Sequence, residues 1–111
     1  MKLITKEWRR LIDVQDLDGR KKTGFPSEYI GTEGTASFYM SENKHPGKIC
    51  VYFEAFFDEK DVDTFYFDSY FRTSFGDVTE TEYKIILTTR NSIYTFLKVV
   101  NSEKEITISG L

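Results

Sequence analysis

Two segments of this chain alternate as strands do, yet carry apolar side chains on both of their faces. Segment 49–57 has Ile49, Val51, Phe53, Ala55 and Phe57 on one face and Tyr52 and Phe56 on the other. Segment 92–100 has Tyr94, Phe96 and Val100 opposite Ile93, Leu97 and Val99. A sheet with one solvated face shows a clean apolar and polar alternation instead. Both faces of these strands therefore need cover, from a curled sheet, a long loop, a second subunit, a partner or a ligand.

The whole pattern predicts an α+β fold with an N-terminal helix and a mainly antiparallel meander of five to six strands. Ile4, Trp8, Leu11 and Ile12 are spaced i, i+4, i+7 and i+8, as on one face of a helix, so we expect a helix over roughly residues 5–17. The alternation predicts strands at 35–41, 49–57, 83–89 and 92–100, with a short edge strand at 106–108. Residues 64–75 fit a strand or a helix. Because the connections are short, consecutive strands run antiparallel, and the sheet can curl into a small barrel.

Length and composition predict one domain spanning residues 1–111. Charges interrupt the N-terminus before it reaches the apolar length of a signal peptide, and no run approaches the ~18 apolar residues of a membrane span. The single cysteine excludes an intramolecular disulfide. We therefore expect a cytoplasmic protein with no membrane association. The residue usage, with only 2 prolines, is typical of a bacterial or phage source.

Few residues offer chemistry. His45 is the only histidine and lies in a turn by composition, and Cys50 lies within a strand pattern. These two side chains are too few for a zinc site within one chain. The acidic stretch 58–63 lacks the glycine and the distal glutamate of a calcium-binding EF-hand loop, and phosphate-binding or nucleophile-elbow motifs are missing. We expect no enzymatic activity, no metal and no cofactor.

Charge is unevenly distributed along a chain whose net charge is -3. Residues 1–24 hold seven basic and four acidic residues, whereas 54–82 hold nine acidic and two basic residues. The overall acidity disfavours a dedicated nucleic-acid binder. We expect a small interaction module that binds a protein partner, or itself as a homo-oligomer, through a Tyr/Phe-rich sheet face rimmed by carboxylates. The candidate residues are Tyr52, Phe56, Tyr66, Tyr70, Asp58, Glu59, Asp61 and Asp63. The alternative is a small β-barrel-like binder of a hydrophobic small molecule.

Overall fold

The structure is a computed structural model that describes residues 1–43, 45–56 and 70–99. In this part of the chain the regular elements are strands and one short 3-10 turn at Ser27–Tyr29, with no α-helix. The strands are β1 (Lys2–Gln15), β2 (Glu33–Met40), β3 (Ile49–Phe56), β4 (Tyr70–Arg72), β5 (Asp77–Glu80), β6 (Lys84–Thr88) and β7 (Ile93–Lys98). They form one antiparallel sheet in the order β4-β3-β2-β1-β7-β6-β5. The expected α+β class is therefore wrong.

The expected helix over 5–17 lies within β1. Each of the two pairings of β1 contains a register shift, at Ile4 in the pairing with β2 and at Ile12 in the pairing with β7. An extra residue of this kind is a β-bulge, and it displaces the inward and outward alternation by one position. Leu11 faces the core, whereas Trp8 lies on the opposite side of β1 and Ile4 and Ile12 occupy the two bulges. The four apolar residues whose spacing predicted one helix face therefore do not share a face of the strand.

The sheet curls, but the expected small barrel is also wrong. The chain passes from β4 at one edge to β5 at the other through residues 73–76 alone. Within this linker, Gly76 exchanges two backbone hydrogen bonds with Ile49 of β3, at 2.7 and 2.9 Å. A barrel requires a continuous ladder between its first and last strands. In the described residues the Ile49–Gly76 bridge stands where a barrel would have that continuous ladder, so the sheet is not closed.

Gly76 lets the linker pass between the two halves of the sheet. A Cβ atom at this position would lie 2.1 Å from the carbonyl oxygen of Thr88, a backbone atom of β6. The absence of a side chain therefore permits the linker to touch β3 and β6 at once.

The concave inner face of the curled sheet holds the core. The ring of Phe96 in β7 lies 5.6 Å from that of Phe53 in β3 and 6.3 Å from that of Phe38 in β2, so the rings meet across the curl. The remaining buried apolar members are Leu11, Val14, Ala36, Val51, Ala55, Phe71, Ile85, Leu87 and Tyr94. Curvature and aromatic bulk thus cover one apolar face of β3 and β7 without a helix.

The long connection between β1 and β2 closes one part of this core. The ring of Tyr29 lies 5.2 Å from that of Phe71, and its hydroxyl donates to the backbone oxygen of Tyr70 at 3.3 Å. Backbone bonds from Gly31 N to Leu11 O (2.7 Å) and from Leu11 N to Thr32 O (3.0 Å) fasten the connection to β1. The loop therefore takes the covering role that the sequence suggested for a helix.

Towards the start of β1 the inner face becomes polar. Arg9 is buried, and its guanidinium group binds the carboxylate of Glu7 on the same strand. The hydroxyl of Thr5 donates to the other oxygen of that carboxylate at 3.3 Å. A buried cation is costly unless it is paired and hydrogen-bonded, so this local pairing permits Arg9 to face inward.

Four of the expected strands are confirmed. Segments 35–41, 49–57, 83–89 and 92–100 correspond to β2, β3, β6 and β7. Of the ambiguous segment 64–75, residues 70–72 form β4. Residues 64–69, the acidic stretch 58–63 and the expected edge strand 106–108 lie outside the described residues. Strand β5 was not expected, because its four side chains are all exposed and carry no apolar alternation.

None of the helical structure in residues 1–43, 45–56 and 70–99 has the length and apolar character needed to cross a membrane.

Candidate interaction face

The convex side of β1, β3 and β4 displays a group of aromatic side chains, Trp8, Tyr52, Phe56 and Tyr70, which we call the outer aromatic face. Tyr52 and Phe56 point outward because they alternate with the buried core residues of β3. Tyr70 pairs with outward-facing Glu54 of β3. Trp8 pairs with Thr35 of β2, which in turn pairs with Glu54, so Trp8 lies on the same outward side. The register of three strands thus brings four aromatic rings to one side of the sheet.

These rings are arranged in two contacting pairs. Tyr52 and Tyr70 are stacked, with ring centroids 4.9 Å apart and planes at 20°. Trp8 and Phe56 are 5.8 Å apart with planes at 59°. Aromatic pairs at such separations stabilise each other beyond the area they bury. Phe56 is nevertheless 50% exposed and Tyr70 47% exposed, so much of the apolar surface remains accessible.

Polar neighbours fix the orientation of the tryptophan. The indole Nε1 of Trp8 donates a hydrogen bond to Oε1 of Glu33 on β2, at 2.9 Å. The other oxygen of this carboxylate accepts a hydrogen bond from the guanidinium group of Arg10. Charge-assisted hydrogen bonds are stronger than neutral ones. Glu33 therefore holds the ring of Trp8 in position next to Phe56.

The phenol of Tyr52 is kept in its neutral form. Burial raises its pKa, and the neighbouring Tyr70 and the carboxylate of Glu54 raise it further. Desolvation and nearby negative charge both disfavour a phenolate. A side-chain hydrogen bond between the two phenols contributes to this shift, so the hydroxyl of Tyr52 is engaged with Tyr70 within the outer aromatic face.

Three of the eight candidate residues identified from the sequence come together in the described structure: Tyr52, Phe56 and Tyr70 share the outer aromatic face. The other five, Asp58, Glu59, Asp61, Asp63 and Tyr66, lie outside the described residues. Trp8 was missed because its spacing from Ile4, Leu11 and Ile12 predicted a helix. Its signal is present in hindsight, since strict alternation from Lys6 through Trp8 to Arg10 matches an outward strand face.

Cys50 lies on the same convex side but is covered. Its thiol is buried and lies 3.8 Å from Sδ of Met1. Burial raises the pKa of the Cys50 thiol, and the positive charges of Arg72 and the N-terminal amine oppose that shift. A buried thiol with a raised pKa is a poor nucleophile. The geometry favours a packing role for Cys50.

The described residues contain no group of three or more His, Cys, Asp or Glu side chains placed to hold a metal ion. The inner face, where a hydrophobic ligand would lie in a barrel, is occupied by side chains of the protein itself: Phe53, Phe96 and Leu87 are fully buried there. The outer aromatic face exposes Phe56 and Tyr70, and exposed apolar side chains also lie at Leu3 and Ile4 near the start of β1.

Comparisons with known proteins return no match: no family model, no curated protein and no solved structure is similar to this chain.

Proposed function

We propose that this protein is a non-enzymatic interaction module that binds a basic, apolar segment of a partner protein on its outer aromatic face. The observation that carries the proposal is that two half-exposed rings are each held against a second ring: Phe56 against Trp8, and Tyr70 against Tyr52. Exposed aromatic side chains held in fixed orientation are typical of the residues that dominate binding energy at protein interfaces. Their mutual contacts reduce the side-chain entropy that is lost on binding.

The described convex side also carries the cations Lys6, Arg10 and Arg72, of which Arg10 is paired with Glu33. The case for a basic partner rests on the acidic residues in and after β3. Glu54 is exposed on the same side of β3, between Tyr52 and Phe56 in the sequence. The segment that follows β3 carries, in sequence, the acidic residues Asp58, Glu59, Asp61, Asp63 and Asp68. Negative charge around an apolar surface steers a basic partner towards it and disfavours acidic competitors. The sequence predicts that these acidic side chains rim the face.

The alternative function, binding of a hydrophobic small molecule inside a barrel, has less support. The sheet does not close within the part of the chain that the structure describes, and Phe53, Phe96 and Leu87 fill the space enclosed by its curl. A ligand of that kind would have to displace packed core side chains, whereas a protein partner would need only surface that is already exposed.

A peptide-display selection tests the proposal. The immobilised chain is panned against a randomised peptide library, and enriched peptides are measured by fluorescence anisotropy against three proteins: the wild type, the double variant Phe56→Ser and Tyr70→Ser, and the control Tyr83→Ser. Tyr83 is similarly exposed but lies between β5 and β6, away from the outer aromatic face. We expect basic peptides with aromatic or aliphatic residues, an affinity loss of at least about tenfold in the double variant, and none in the control.

Three outcomes would overturn this function. One is that no peptide is enriched, and another is that enriched peptides bind the double variant as well as the wild type. The third comes from light scattering: a dimer that dissociates in the double variant would assign the face to a second copy of the chain. Retention of the far-UV circular dichroism spectrum verifies that each variant is folded.

A further inference from the structure

A surface groove of about 840 Å³ lies between the connection from β2 to β3, the linker between β4 and β5, and the turn between β6 and β7. Its volume is within the range of about 300–1,000 Å³ that small-molecule sites occupy. The lining residues come from three segments of the chain, 45–48, 72–77 and 88–91. Gly76 forms part of the groove where the linker is clamped to Ile49.

The lining of the groove is positively charged although the chain as a whole is acidic. Arg72, Lys48 and Arg90 contribute three cations, and Asp77 contributes the single carboxylate among the lining residues. That carboxylate is already engaged, since Oδ1 of Asp77 lies 2.6 Å from Nζ of Lys48. The guanidinium groups of Arg72 and Arg90 therefore provide the net positive charge of the lining. A concave surface of one sign concentrates ligands of the opposite sign.

The walls that carry these arginines are held by side-chain hydrogen bonds. Thr89 Oγ1 accepts from Ser92 N (3.2 Å) and donates to Ser92 O (3.1 Å), which fixes the turn containing Arg90. Thr73 Oγ1 accepts from Val51 N at 2.9 Å and anchors the residue that follows Arg72. Both arginines thus extend from positions that the backbone defines, which lowers the entropic cost of ordering them around a ligand.

The groove also offers a flat apolar surface. Phe75 is half-buried in its lining, and its ring lies 6.2 Å from the ring of His45 at an interplanar angle of 36°. Ser74 and Thr88 are exposed lining residues whose hydroxyl groups can donate to a polar ligand. A ligand that matches the groove combines an anionic group with a planar ring.

We propose that this groove binds a nucleoside monophosphate, with the phosphate held by Arg72 and Arg90 and the base lying against Phe75 and His45. Guanidinium groups bind phosphate oxygens through paired, charge-assisted hydrogen bonds. A base stacks on an aromatic ring by the same offset geometry that aromatic side chains adopt. Inorganic phosphate would satisfy the arginines but leave most of the groove, and the aromatic surface, unused. A nucleoside without phosphate would leave the cations unpaired.

Calorimetric titration tests the site with AMP, GMP, CMP and UMP, and with adenosine and inorganic phosphate as the two partial ligands. We expect at least one monophosphate to bind more tightly than both partial ligands. Arg90→Gln should weaken that binding about tenfold or more, and Arg20→Gln, an exposed arginine outside the groove, should not change it. Phe75→Leu should lower the affinity for the monophosphate and leave the affinity for inorganic phosphate unchanged. Amide chemical shifts should move at residues 74–76 and 88–91.

Any of several results would overturn the proposal: no binding of a monophosphate at millimolar concentration, equal affinity for the monophosphate and inorganic phosphate, equal affinity for the monophosphate and adenosine, or binding that survives Arg90→Gln. Because the groove variants leave Phe56 and Tyr70 unchanged, failure here is distinguishable from failure of the protein-binding function. A wild-type far-UV circular dichroism spectrum for each variant confirms that lost binding does not reflect lost folding.

Discussion

Truncation of Phe96 to alanine measures how much of the fold depends on aromatic packing inside the curled sheet. Phe96 is 0% exposed, and its ring contacts Phe38 and Phe53 from two other strands. Replacing a fully buried phenylalanine by alanine costs about 3–5 kcal/mol, because apolar contact is lost and a cavity remains. At about 4 °C per kcal/mol for a domain of this size, the melting temperature should fall by about 12–20 °C.

The matched control is Phe56→Ala, the same chemical change on the convex side. Phe56 is 50% exposed, so it buries about half of what a core phenylalanine buries, and its truncation should cost only about 1–1.5 kcal/mol. Urea unfolding followed by far-UV circular dichroism gives both free energies of unfolding. If Phe96→Ala costs no more than Phe56→Ala, the inner face is not the core that stabilises the sheet, and the assignment of the two faces is refuted.

Two further predictions concern the linker and the outer aromatic face. Gly76→Ala should lower the free energy of unfolding in urea by about 2–4 kcal/mol, because the new Cβ would meet the carbonyl oxygen of Thr88. The control Ser74→Ala, at an exposed position in the same linker, should change it by less than about 0.5 kcal/mol. Since burial, Tyr70 and Glu54 raise the pKa of Tyr52 in the folded chain, the free energy of unfolding should be independent of this group below pH ~10 and fall as pH rises through the folded-state pKa. Tyr52→Phe should make that alkaline decrease shallower, and an unchanged slope in urea unfolding at pH 9–12 would contradict the burial of this phenol.

The central strands could be predicted from the sequence because their alternation is uninterrupted. In β3, Val51, Phe53 and Ala55 face the core at strict intervals of two, and the pattern identifies both the strand and its two faces. In β1 the alternation of inward and outward residues is interrupted by two bulges, at Ile4 and Ile12. No local property of these residues indicates that a bulge forms there. A bulge depends on how two distant strands pair, and that information is not contained in the segment itself.

The two candidate sites differ in the same respect. Tyr52 and Phe56 were found from the sequence because they belong to one strand, and alternation alone assigns them to a common face. The groove was not found, because Arg72, Phe75 and Arg90 are brought together only when the linker crosses the sheet at Gly76. Residues from three segments show no spacing pattern, and a turn histidine such as His45 is expected to be solvated.

Arg72 joins the two sites and therefore determines how they can be separated. It pairs with Tyr52 on the convex side of the sheet and also lines the groove. A substitution at Arg72 would disturb the aromatic face and the cationic groove together, and its effect could not be attributed to either. Arg90 and Phe56 each belong to one site alone, so two single variants distinguish the sites. Arg90→Gln should lower only the affinity for the nucleotide, and Phe56→Ser only the affinity for the peptide. If a bound nucleotide lowers the affinity of the wild type for the peptide, linkage requires that the peptide lower the affinity for the nucleotide by the same factor. Arg72 would then be the residue that both ligands share.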